Sequence, residues 1–515
     1  MSSAFSAAFL RGEARALALL PDDFRHASRR DESVRRAATR VVSAKTLAAL
    51  RAQSARLPAS AAREANLQAL AQPGTVCVVT GQQVGLFLGP LYSLYKAASA
   101  VIDARTLQQE TGVRCVPVFW LQSEDHDFEE IDHCDVSAVL RVRLQARARV
   151  EKSSLASLTL GDEVEIALQS MSEGLEGPHV EEVMALFRRH YLADNTWVNA
   201  FAGVMAELLD ELVFVNPRDE ALAEELRPVH QRALRESAEI ANGLLERTAA
   251  LEREGFSTQV HVRAGAPLSF FHPEGREGPR FRLESREGAW GLVGREDSRS
   301  TEQLLSTRDA LCFSTSALLR PIVQDTLLPT AAYVGGPGEL NYFAQLPPLY
   351  SWFGLAMPMF VPRARFRVID ARTKSLLQKL GLSAAEAEST ELVKRLAGAS
   401  GVSPASIEKQ LVDAVAPVLD SLPAELADAV KLTRGTIARA ASRLSGRYAR
   451  SVQIADQTLS DRVTRLHAAL FPHGEPQERV LGLPAFAARF GVREFVSLVK
   501  DQLVPFGGEV KELFP

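Results

Sequence analysis

Two short apolar runs with a helix-length segment between them constrain this chain most. Thr75-Val76-Cys77-Val78-Val79-Thr80 and Cys115-Val116-Pro117-Val118-Phe119-Trp120-Leu121 are continuous rather than alternating, as strands buried on both faces are. Gly81 to Gly89 make a glycine-spaced loop after the first run. Pro90 then stands where a first helical residue would, and helical sequence runs to about Gln109. Strand, crossover helix and strand form a βαβ unit, which requires a parallel sheet with helices on its faces. The pattern resumes at Val213-Phe214-Val215, at Tyr333-Val334 and at Met359-Phe360-Val361-Pro362. The expected class is therefore α/β.

The expected order along the chain is discontinuous. A Rossmann-like core occupies 1–143, 196–253 and 311–371. One insert covers 144–195. A β-rich insert covers 254–310, where Val260, Val262, Leu268, Phe270, Phe281, Leu283 and Trp290 alternate between Gly and Pro turns. From 372 to 473 aromatic residues nearly vanish. Ser403-Pro404 reads as a cap and first turn, Pro417 as a kink and Leu422-Pro423 as a break, after which a long helix runs to Leu470. Its stripe of Leu444, Tyr448, Val452, Ala455, Leu459, Val463, Leu466 and Leu470 advances by fours and threes, as in an antiparallel helical arm. The stripe serves either a partner helix or a dimer contact. Arg439, Arg443, Arg447 and Arg450 read as a solvated face. Residues 474–515 are expected to return to the core.

Charge and cysteine usage narrow the function. Against 59 basic residues stand 63 acidic ones, a net charge of -4, which does not suit a general nucleic-acid binder. No apolar run approaches the ~18–20 residues of a membrane span, and Arg11, Glu13 and Arg15 interrupt the apolar N-terminus. Cys77, Cys115, Cys134 and Cys312 form no C-x-x-C pair and read as buried thiols of a reducing cytoplasm.

Three segments carry candidate chemistry at the carboxyl ends of strands, where open α/β sheets bind ligands. The first is Thr80-Gly81-Gln82-Gln83-Val84-Gly85-Leu86-Phe87-Leu88-Gly89-Pro90. It is neither a dinucleotide fingerprint nor a Walker A loop, and its glycines serve either an anion or only tight turns. The second follows Leu121. Seven carboxylates lie from Glu124 to Asp135 with no Lys or Arg among them, and His126 stands between Asp125 and Asp127. A solvated acidic face and a proton-transfer site both fit this pattern. His126, Asp127, Glu130 and His133 could ligate a metal, though in no zinc-protease spacing; no resident metal is expected. The third runs from Arg320, Gln324 and Asp325 to Gly335-Gly336-Pro337-Gly338-Glu339, a second turn leading into a helix. Together they predict one cleft, with Glu124, Asp125, His126 and Asp127 as catalytic candidates. The binding candidates are Thr80, Gly81, Gln82, Gln83, Gly85, Gly89, Pro90, Lys96, Arg320, Gln324, Asp325 and Gly335–Glu339.

These segments resemble a known family. Thr80–Pro90 with Leu91-Tyr92, Pro117-Val118-Phe119-Trp120 with Glu124-Asp125-His126-Asp127, and Leu319-Arg320-Pro321 through Gly338-Glu339 are similar to the cysteine-adding enzymes of bacillithiol biosynthesis, the BshC family; so are Phe471-Pro472 and Gln477-Glu478-Arg479. The resemblance covers nearly the whole chain. It implies a Rossmann-like core with two connecting inserts and a coiled-coil arm that makes a homodimer. It also implies the last pathway step, in which a ligase joins cysteine to glucosamine-malate through an amide bond. Amide formation from a carboxylate needs activation, so ATP is expected, with Mg²⁺ able to accompany it, and no redox cofactor. Small-molecule partners are expected, with no nucleic acid or membrane. A metal-dependent hydrolase built on the acidic loop and a non-catalytic scaffold built on the arm are the alternatives.

Overall fold

The computed structural model describes residues 4–145, 151–387 and 404–515, apart from the side chains at 404, 405, 408, 425, 449–457 and 460. Ser403 and the side chains of Arg450, Val452 and Ala455 lie outside the described residues, as do positions 146–150 of the first expected insert. The described chain divides into two units. One comprises Met1–Arg367 with Glu478–Leu513, the other Val368–Gln477.

Five parallel strands organise the first unit: β1 (Val76–Gln82), β2 (Cys115–Leu121), β3 (Val213–Val215), β4 (Thr330–Gly335) and β5 (Met359–Pro362). Their order across the sheet is β5-β4-β1-β2-β3. The chain therefore grows outward from β1 through β2 to β3, then crosses back to lay β4 on the other side of β1. That reversal opens a crevice between the carboxyl ends of β1 and β4, the position where such sheets take ligands. Every residue of β2 is buried, and β1 is buried up to Gln82. Continuous apolar runs make such strands because both faces are covered by helices. Pro117 is tolerated in an inner strand because β3 begins pairing only at Val118, so at Pro117 only β1 stands opposite.

Helix Tyr92–Thr111 crosses from β1 to β2 and ends at Gly112, whose φ of 71° suits a left-handed cap. It starts two residues later than Pro90 predicts. Pro90 instead bridges to Gly482 of the C-terminal segment.

A second, antiparallel sheet has the order Phe313–Thr315, Ser269–Phe271, Phe281–Arg286, Ala289–Leu292 and Ser298–Arg299. Phe271, Leu283, Trp290, Leu292 and Phe313 form its own apolar core. Val260 and Val262, read from alternation as strand residues, lie outside any strand. Gln345 instead holds Val260 by both its N–H (3.2 Å) and its C=O (2.9 Å).

The second unit is helical. Pro404–Asp420 packs along the 44-residue helix Ala427–Leu470, with the break at 421–426. Pro417 does not end the shorter helix, which continues to Asp420. The apolar stripe holds only in part. Val463, Leu466 and Leu470 are buried, and Leu466 and Leu470 pack with Ile369 and Leu377. Leu444 is 51% exposed, while the small residues Ala441 and Ser445 are buried. Among the described residues no helix is long and apolar enough to cross a membrane.

Candidate active site

The crevice beside β1 is a cleft of about 380 Å³. Gly81, Gln82 and Gln83 enter it from the end of β1, Tyr92 and Lys96 from the helix that follows, and Gln122 from the end of β2. Tyr333, Gly338, Glu339 and Tyr342 enter from β4 and the helix after it. Ala317, Arg320, Arg363, Gln259 and Arg479 complete the wall.

Lys96 and Glu339 clamp the two sides together. The Lys96 ammonium donates to Gly81 O at 3.0 Å, to Gln82 Oε1 at 2.8 Å and to Glu339 Oε2 at 2.6 Å. An ammonium has three N–H donors, so all three are matched within the protein. Glu339 also accepts from the Gly336 N–H at 2.8 Å and the Tyr333 hydroxyl at 2.6 Å. Burial holds the Lys96 pKa below the usual lysine range, and Glu339 opposes that shift. Burial alone would raise the Glu339 pKa, but Lys96 and the Gly336 N–H outweigh it and hold the carboxyl low. The pair is an ionised structural bridge.

Arg320 differs. It is 6% exposed, donates to Gln324 Oε1 at 3.0 Å and to the Tyr342 hydroxyl at 3.3 Å, and stacks 5.0 Å from the Tyr333 ring. No carboxylate among the described residues forms an ion pair with it. Burial opposes its charge, while Tyr333, Tyr342 and Glu339 stabilise it, and the side chain lines the cleft. Arg363 is already matched, donating to both Glu478 oxygens at 2.8 and 3.0 Å.

The glycine loop after β1 divides at Gln83. A Cβ on Gly81 would lie 2.9 Å from Trp120 O, so glycine is required there by the neighbouring strand as well as by the cleft. Gly85, Gly89 and Pro90, predicted to meet a ligand, do not line the cleft. They build a turn in which a Cβ on Gly85 would sit 2.9 Å from Gly89 Cα. The Gly85, Leu86 and Gly89 amides donate to Gln83 O, Ile131 O and Leu86 O, so the loop has no anion cradle at these positions. Val84, Leu86, Phe87 and Leu88 are buried, with Phe87 against Phe187 and Tyr191.

Other predicted binding residues also serve the scaffold. Thr80 ties β1 to Val334 O at 2.8 Å. Gln324 donates to Asp325 at 2.8 Å, and Asp325 also accepts from the Tyr350 hydroxyl, all within the core. Gly335 packs against Phe360, Gly336 and Pro337 start the helix, and of this turn only Gly338 and Glu339 reach the cleft.

The acidic loop is largely neutralised from elsewhere in the chain. Arg280, from the second sheet's side, donates to Glu124 O at 2.8 Å and Asp125 Oδ1 at 3.1 Å, and its Nε lies 3.1 Å from His126 Nδ1. The Glu124 carboxylate accepts from Thr315 N–H and hydroxyl. Asp132 and Asp135 pair with Arg143 and Arg141. Burial would raise the Asp125 pKa, but the His126 hydrogen bonds, Arg280 and Gln83 hold it below the usual carboxylate range. Asp127, Glu129 and Glu130 are exposed. Glu124, Asp125, His126 and Asp127 do not line the cleft, but Gln83 does, and its amide donates to Asp125 at 2.9 Å and Glu130 at 2.6 Å. The loop thus reaches the cleft at its first residue, Gln122, and is tied to it through Gln83.

The description "Bacillithiol biosynthesis BshC, N-terminal Rossmann-like domain" matches residues 2–364. The chain belongs to the BshC family. Relatives named "Putative cysteine ligase BshC" are similar over most of its length. The protein from Koribacter versatilis is 34% identical over 466 residues, 86% of this chain and 85% of that one. The one from Solibacter usitatus is 32% identical over 460 residues, 87% and 84%. The one from Salinibacter ruber is 30% identical over 438 residues, 81% and 79%.

Composition and spacing pass over several lining residues of this BshC-family chain: Tyr92, Gln122, Gln259, Tyr333, Tyr342, Arg363 and Arg479. Some had a local signal. Tyr92 stands four residues before Lys96 on one helix face, Tyr342 three after Glu339, and Arg363 directly follows β5. Gln259 had none.

Proposed function

We propose that this chain is a cysteine ligase that joins L-cysteine to glucosamine-malate in the last step of bacillithiol biosynthesis. Membership of the BshC family supports the reaction, and one observation carries the site: Arg320, a buried guanidinium that lines the cleft at the sheet's switch point with no salt-bridged carboxylate among the described residues. Malate carries carboxylates, and a guanidinium binds a carboxylate through paired N–H donors. The amides of Gln82, Gln122 and Gln259 and the hydroxyls of Tyr92 and Tyr342 suit sugar hydroxyls.

An amide forms when the sugar amine, in its neutral form, attacks the activated carboxyl carbon of cysteine, loses a proton and expels the phosphate-bearing group with which ATP activated that carboxyl. His126 is our candidate to take that proton at Nε2, in the tautomer whose Nδ1–H faces Asp125 Oδ1 at 3.3 Å, with the exposed Asp127 attracting the ammonium form. Glu124 holds the loop to Thr315. ATP is the activating co-substrate in this reading, and Arg320 and Arg479 suit a phosphate. Among the described residues no three His, Cys, Asp or Glu side chains converge to hold a metal, so Mg²⁺ would arrive with the phosphates.

The reading includes a cytoplasmic homodimer, formed through a coiled-coil arm, and a core interrupted by two inserts. Val418, Leu432 and Leu444 are 62%, 71% and 51% exposed in the single chain, apolar side chains that a second copy would cover. Leu432→Glu with Leu444→Glu should give monomers by light scattering; an undisturbed dimer puts the contact elsewhere. The function is tested by thiol profiling in cells lacking the gene. Accumulated glucosamine-malate without bacillithiol is expected, and an unchanged bacillithiol pool overturns the proposal.

A further inference from the structure

A second cavity, of about 150 Å³, lies behind the wall of the cleft. Ser316 and Leu318 line it, whereas Ala317 and Arg320 line the cleft; Val260 and His261 line it, whereas Gln259 lines the cleft. The two spaces thus share a single layer of chain.

Most of the second cavity is apolar, with Ile240, Val262, Leu268 and Phe270 among its walls. Two arginines, Arg263 and Arg282, line it, and no Asp or Glu does. Arg282 stands on the strand Phe281–Arg286, and its Nε is buried without a hydrogen-bond partner. A guanidinium cannot shed its charge, and a buried donor on a charged group is costly to leave unmatched. Donors left in this state mark places that a ligand or ion completes. Ser237 and Ser316 add hydroxyls.

We propose that this cavity binds a small carboxylate with a compact apolar body, the size of a short branched fatty acid. The carboxylate meets Arg282, with Arg263 nearby, and the hydrocarbon meets Ile240, Val262 and Leu268. Inorganic phosphate has the charge but nothing for the apolar walls. The proposal does not depend on which reaction the cleft performs.

Calorimetric titration of the full chain with sodium isovalerate tests it. Saturable binding is expected, and isovaleramide, which has the same shape without the charge, should bind at least about tenfold more weakly, the effect of losing a charge-assisted contact. Arg282→Gln should weaken isovalerate by a similar factor, while Arg320→Gln should leave it as it was. The proposal is overturned if the native chain shows no saturable binding, if the amide or inorganic phosphate binds as well as the acid, or if Arg320→Gln removes binding that Arg282→Gln spares. Should Arg282→Gln fail to fold by circular dichroism, Ala241→Leu fills the cavity from the opposite wall. Binding retained in that variant overturns the proposal, and binding lost with the fold intact supports it.

Discussion

The loop after β2 and the cleft beside β1 carry opposite kinds of charge, and pairing across the fold treats them differently. The loop holds seven carboxylates and two histidines in a row, a pattern that suggests reactive groups. In the fold, four of those carboxylates are engaged by Arg280, Thr315, Arg143 and Arg141. The cleft is assembled from seven separate stretches of chain, at 81–96, 122, 259, 317–320, 333–342, 363 and 479. There Arg320 is buried with no salt-bridged carboxylate among the described residues. Reactivity follows from what remains unpaired after folding, and a count of charged residues along a segment does not measure that.

The sharpest way to break this comparison is His126→Ala. If the loop still supplies the proton acceptor, turnover should fall by ~10²–10⁴-fold with the fold intact by circular dichroism. A folded, fully active variant would reduce the loop to a clamp.

Lys96→Met should come next. It removes the partner of the buried Glu339 and should cost about 3–5 kcal/mol of stability in urea unfolding, with loss of activity. A variant as stable as the native chain would mean the clamp contributes nothing.

Arg320→Met tests function against stability. The substitution leaves the buried Gln324 Oε1 without its donor, so stability should fall by about 1–3 kcal/mol, while kcat/KM falls by about 10²-fold from the loss of a charge-assisted contact. A large loss of stability with activity retained would make Arg320 structural and close the case for an anion receptor.

The smallest effect concerns Arg280→Met and acid. Asp125 has its pKa lowered in the fold, so its contribution is present above the unfolded value of about 3.9 and is lost as pH falls toward the folded value. Removing Arg280 withdraws part of that lowering. The native chain should exceed the variant by about 1–3 kcal/mol near pH 6, and the gap should narrow below about pH 4. A gap independent of pH would show that Arg280 acts through packing alone.

Several elements could be read directly from local pattern. The apolar runs at 75–80 and 115–121 become β1 and β2, Met359–Pro362 becomes β5 with the expected bounds, and the break at Leu422-Pro423 separates two helices. Such features depend on neighbours within a few residues, and residue periodicity records those. The stripe on the long helix is only partly legible, because the buried face near its middle is made by Ala441 and Ser445, small residues four apart, while the larger Leu444 beside them is exposed.

By itself, then, the sequence determined that the chain is α/β, that β1, β2 and β4 lead into loops at one edge, and that Gly81, Gln82, Arg320 and Glu339 belong near it. The tertiary structure alone decided that Gly85 and Gly89 close a turn, that Lys96 and Glu339 satisfy each other, and that Arg280 reaches Asp125 across 155 positions of chain. The physical reason is that strand and helix periods are local, while pairing, burial and desolvation are settled between groups that meet only after folding.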